Sequence, residues 1–168
     1  MAHPRVDLLR FTRREWLRGL KGISEEDGAR HFGQMNCISW TVGHLAWHEH
    51  SYWMERAQGE ILFPNLNELF AYRAPMSSPS LKEMMKTWKA VIHDVDSYMD
   101  RLTTFSLKQP LKKNGKDVGQ TVGSALQRVT YHYWYHIGEI QAIRQMLEHT
   151  KLPAFVGNIE KQAPYRPE

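Results

Sequence analysis

The run Tyr131-His132-Tyr133-Trp134-Tyr135-His136-Ile137-Gly138-Glu139-Ile140 places two histidines four residues apart inside a stretch with helical periodicity. On a helix an i, i+4 pair projects from one side, close enough for both imidazoles to meet one ligand. Stepping about 100° per residue, His132 and His136 share a stripe with Ala125, Val129, Ile140 and Ile143, the side such a helix buries. Two imidazoles on a buried stripe carry a desolvation cost that needs a compensating partner. A metal ion is the partner that suits both at once.

His44 and His48 repeat the spacing in Trp40-Thr41-Val42-Gly43-His44-Leu45-Ala46-Trp47-His48. Neutral imidazole suits zinc, nickel and ferrous iron, and histidines drawn from two helices leave coordination positions open for water or substrate. Helical geometry alone allows His44, His48 or both to join the first pair. Glu139 follows His136 by three residues on the same face. It is a candidate fourth ligand, an acceptor that orients an imidazole, or a general base acting on water at the ion. Arg128, one turn before His132, is a candidate for binding a substrate carboxylate; the structural alternative for Glu139 is a salt bridge with Arg128 or with another residue of the bundle, and for Arg128 a structural ion pair. The zincin motif HExxH is absent, and so is the glutamate-rich di-iron set of ferritin-like bundles.

Four helical segments account for most of the chain, and nothing alternates as a half-buried sheet does. The expected class is all-α, a four-helix bundle in a single domain over residues 1–168. The first helix is expected over Val6 to Leu20, closed by Gly22, and the second from Ser39 as N-cap to about Gln58, closed by Gly59. The third has Ser78 as cap and Pro79 at the first helical position, then Leu81, Met84, Met85, Trp88, Val91, Ile92, Val95, Met99 and Leu102 at helical spacing. The fourth opens at Thr121 or Ser124 and runs to about His149. Long connections, Gly59 to Ser77 and Thr103 to Gln120, separate these helices; the first has the span to cross from one end of the bundle to the other, so up-down-up-down order is not assured, and the second, with Asn114-Gly115, is expected to make a small hairpin.

The 168 residues carry a net charge of +4 with cations mostly interspersed among acids. The basic residues Arg5, Arg10, Arg13, Arg14, Arg18 and Lys21 of the first helix read as a solvated face. No recognition helix, RNP or zinc-finger pattern accompanies them, which argues against nucleic acid. The N-terminal residues lack an apolar signal core, and no stretch approaches the roughly 20 apolar residues of a membrane span. The single cysteine, Cys37, reads as an inert thiol in a reducing compartment. A cytoplasmic protein with a small-molecule substrate is the expectation.

With the segments Ser39-Trp40-Thr41-Val42-Gly43-His44-Leu45 and His132-x-x-x-His136-x-Gly138-Glu139-Ile140 in this order, nearly the whole chain resembles the DinB/YfiT-like superfamily. The first is similar to the family's Trp-containing segment ending in His-Leu, the second to its HxxxHxGQI segment. The resemblance implies that His44, His132 and His136 ligate one divalent ion, with water in the open positions. It also implies a crossover after the second helix and frequent homodimers. Glu139 departs from the family's common glutamine and sets an acid near the ion. Relatives include bacillithiol S-transferases and a mycothiol-dependent maleylpyruvate isomerase, so the implied activity is a metal-dependent thiol S-transferase or isomerase using a low-molecular-weight thiol. A metal-dependent hydrolase and a non-catalytic metal or small-ligand-binding protein are the alternatives.

Overall fold

The computed structural model describes residues 2–167. Among them the chain is mostly helical with one two-stranded sheet, so its class is all-α. Helix α1 spans Pro4–Leu20; it starts before Val6 because His3 Nδ1 accepts the Arg5 N–H at 3.1 Å and Pro4 fits the first turn. A short α2, Glu25–Ala29, was not expected. Its signal is nonetheless present, Ser24 as cap followed by three acids in the first turn.

Helix α3, Ile38–Glu49, begins one residue before Ser39, with Cys37 in the cap position and no side-chain cap bond. The expected continuous helix to Gln58 instead widens into a π-helical segment, His50–Arg56. Gln58 fills the disturbed ladder by donating to the Trp53 carbonyl at 2.8 Å. Helix α4, Asn65–Phe70, lies within the long connection after Gly59, and α5 spans Leu81–Met99. Ser78 and Pro79 precede α5 rather than opening it. Ser80 Oγ accepts the Glu83 N–H at 3.3 Å, and the Glu25 carboxylate accepts those of Leu81 and Lys82 at 2.9 and 2.6 Å. An anion from α2 thus caps the start of α5.

The later connection holds α6 (Thr104–Leu107) and the expected hairpin, β1 (Pro110–Lys113) and β2 (Lys116–Thr121). Asn114 and Gly115 have φ of 51° and 76°, as a tight hairpin turn requires. Helix α7, Val122–Met146, is capped by Thr121, whose hydroxyl accepts the Ser124 N–H at 3.1 Å. It stops short of His149. Helix α8, Ile159–Gln162, follows in the tail.

The chain groups into two compact units. One contains α1, α6, α7 and α8. Here α1 lies against α7, with the Trp16 and Tyr133 rings edge to face at 6.0 Å. The tail is strapped to α1: the buried Glu15 carboxylate accepts from Gly157 N–H at 2.8 Å and from Arg18, Arg18 also donates to the Ala154 carbonyl at 2.6 Å, and Arg14 bonds Gln162. Arg166 pairs with Asp7 and Arg10 with Asp100. The basic face expected to be solvated is therefore in large part an anchoring face. The other unit contains α2 through α5 with the hairpin tip, residues Lys112–Lys116. In it α2 meets the start of α5 at Gly28, where a Cβ would stand 3.1 Å from Leu81.

Candidate metal centre

His44 sits on α3 and is buried. Its Nδ1 lies 2.7 Å from the Phe70 carbonyl oxygen. A carbonyl can only accept, so the ring proton is on Nδ1 and the lone pair on Nε2. The Trp40 ring stacks on His44 with centroids 5.1 Å apart and planes 12° from parallel.

His132 and His136 lie one turn apart on α7, His136 buried and His132 half-buried. Their Nε2 atoms face each other at 3.0 Å. Nδ1 of His136 is 2.5 Å from the Glu139 carboxylate, which fixes the His136 proton on Nδ1 and turns its Nε2 lone pair toward His132. Burial alone would raise the Glu139 carboxyl, but its bond and attraction to His136, a bond from Tyr135 and the nearness of His132 together hold it below the usual range. The Tyr135 hydroxyl is raised in turn, first by its bond to Glu139.

One ligand nitrogen from each of His44, His132 and His136 lies within 4.8 Å of the others. Among the described residues this grouping takes His44 and leaves out His48, whose ring packs on Tyr52 at 4.7 Å. A zinc–imidazole bond is about 2.0–2.1 Å, so nitrogens sharing one ion stand at most about 4.2 Å apart. The 3.0 Å between His132 and His136 is inside that reach. Two rings with Nδ1 tied by an acceptor, and Nε2 left as the lone-pair nitrogen, form a donor set that fits a divalent ion.

Arg128 is exposed, and the Glu139 carboxylate is engaged by His136 and Tyr135 rather than by an arginine. Tyr135 and Phe70 were missed. Tyr135 stands one turn before Glu139, a spacing that could have pointed to it, whereas a main-chain carbonyl leaves no trace in sequence. Cys37 is buried, with Sγ 3.2 Å from Ser39 Oγ and 3.3 Å from the Ser77 carbonyl, as an inert thiol would be.

An all-α chain with three histidines so grouped defines a class of helical proteins fitted to hold a cation. The family model of the DinB superfamily matches residues 7–140, and the chain belongs to that superfamily. No curated protein matches it.

Proposed function

We propose that this DinB-superfamily protein binds one divalent ion, zinc, nickel or iron, through His44, His132 and His136, and that it acts as a metal-dependent thiol S-transferase or isomerase. The observation that carries the reading is the Nε2-to-Nε2 approach of His132 and His136 with Glu139 behind His136. The bound ion would supply a positive charge that favours a thiolate over a thiol, the nucleophilic form. Glu139 keeps the His136 proton on Nδ1, and Phe70 does the same for His44, so the lone pairs are ready without reorganisation. The Tyr135 hydroxyl also bonds the Glu139 carboxylate. Arg128, exposed on α7 one turn from His132, can receive the carboxylate of a cysteine-derived cofactor or of a small-molecule substrate.

The proposed setting is the cytoplasm, supported by a lone buried cysteine; no helix among the described residues is long and apolar enough to cross a membrane. A homodimer is proposed from the family. The six tryptophans give no support, for four are buried and two are half-buried. Exposed Ile61, Leu62, Leu69, Tyr72 and Met76 of the long connection after Gly59 are the apolar groups available to a second copy. Nucleic acid and membrane are not proposed as partners.

The test is incubation of metal-loaded protein with bacillithiol, mycothiol or glutathione and a generic electrophile. Conjugation above the uncatalysed rate, lost in His136→Ala, supports the reading. Metal-dependent cleavage of an ester or amide panel without thiol transfer would move it to a hydrolase, and inactivity in both to a binding protein.

A further inference from the structure

We propose that Phe70 is the positioning residue for His44, acting through its main-chain carbonyl, and that Gly43 is glycine because any side chain there would drive Phe70 away. A Cβ on Gly43 would stand 2.7 and 2.8 Å from Phe70 Cε1 and Cδ1, and 2.9 Å from Met84 Sδ. These separations are shorter than real Cβ contacts. The methionine is flexible and can yield, but the Phe70 ring is 3% exposed and packs edge-on to Trp40 at 6.1 Å. A methyl group therefore has to push the end of α4 outward.

The displaced group would be the one that sets the His44 proton. Free neutral histidine favours the proton on Nε2, which would point a donor rather than a lone pair at an ion. The 2.7 Å bond to the Phe70 carbonyl inverts that preference. The surroundings hold this arrangement from both sides. Trp47 Nε1 donates to Asn67 Oδ1 at 2.7 Å, tying α4 to α3, and Trp40 Nε1 donates to the Pro75 carbonyl at 3.2 Å while its ring lies flat on His44. The connection thus selects the tautomer of the histidine it covers. This deepens the three-histidine reading and rests on it for the link to metal affinity.

Nitrogen-15 NMR of the ring in metal-free protein, at a pH where imidazoles are neutral, reads the tautomer without any ion present. Wild type is expected to show His44 protonated on Nδ1, Gly43→Ala to lose that signal, and Gly43→Ala/Phe70→Ala, which removes the two obstructing ring atoms, to regain it. Metal affinity from chelator competition should follow, falling about 10–100-fold in Gly43→Ala and recovering in the double variant. If Gly43→Ala does not fold, the double variant decides: an Nδ1–H signal supports the proposal and its absence overturns it. A wild-type proton on Nε2, or Gly43→Ala with unchanged tautomer and affinity, also overturns it. Tautomers that follow the expected pattern in a protein that binds no metal would refute the metal reading while leaving the positioning of His44 by Phe70 in place.

Discussion

His136 and His132 face each other Nε2 to Nε2 at 3.0 Å, while Nδ1 of His136 is held by Glu139. A cation at this position would take the Nε2 lone pair of each ring. The carboxylate behind His136 makes the imidazole a stronger donor to an ion than the family's common glutamine would.

Replacing Glu139 should therefore weaken metal binding without abolishing it. Glu139→Ala is expected to lose about 10–100-fold in affinity, as removal of an outer partner of a metal-bound histidine generally does. Glu139→Gln, which keeps an acceptor for the His136 N–H, should lose less. Chelator competition measures both, and equal affinity in all three proteins would show that the contact does not tune the site.

Metal removal should leave the protein folded, because helices with buried Trp16, Trp53, Tyr133 and Phe11 bury a core that owes nothing to the ion. Circular dichroism after chelation is expected to keep its helical signal, with a lower Tm. At a free metal concentration 100 times Kd the holo form should gain about 2.7 kcal/mol. Loss of helicity at room temperature would make the ion structural.

His50 supplies a pH dependence separate from that of the three grouped histidines. Its Nε2 accepts the N–H groups of Leu62 and Phe63 at 3.2 and 3.4 Å, and its Nδ1 is buried without a hydrogen-bond partner. Burial pushes its pKa down, with Glu55 opposing. Below about 6.5, the ordinary histidine value, the unfolded chain binds a proton that the folded one refuses. Stability should therefore fall as pH drops from about 6.5 toward the lowered folded value. In metal-free protein, urea unfolding of His50→Gln should show a slope shallower than wild type by up to one proton, about 1.4 kcal/mol per pH unit. Identical slopes would contradict this account.

The periodic parts of the chain were legible in sequence, and the parts set by neighbours were not. The apolar stripe of α5, the Asn114-Gly115 turn and the His132–His136 pair follow from local spacing, and the structure has each. The start of α5 shifted because its cap includes Glu25, 56 residues away, a distance no local capping rule sees. The π-helical segment defeated the 100° step beyond His50, since a widened turn resets which residues share a face. His44 and His48 stayed indistinguishable by spacing and were separated only by the resemblance, and then by the grouping of nitrogens. The carbonyl that fixes the His44 tautomer belongs to the backbone, where sequence carries no mark.

The tail offers a test of packing alone. Glu15 is buried and accepts from Arg18 and from the Gly157 N–H. Glu15→Ala leaves the Gly157 N–H without its acceptor and Arg18 with the Ala154 carbonyl alone, and should cost about 1–3 kcal/mol. Limited trypsin treatment is expected to cut first near Lys151 in the variant while wild type resists. Unchanged cleavage would show the strap to contribute little.

The most direct measurement of the central claim is elemental analysis of protein purified without an affinity tag or added metal, for wild type and for His44→Ala, His132→Ala and His136→Ala. The account predicts about one divalent ion per wild-type chain and a clear loss in each variant, because every one removes a donor from a set of three. Wild-type stoichiometry and affinity retained in any of the three variants would contradict it.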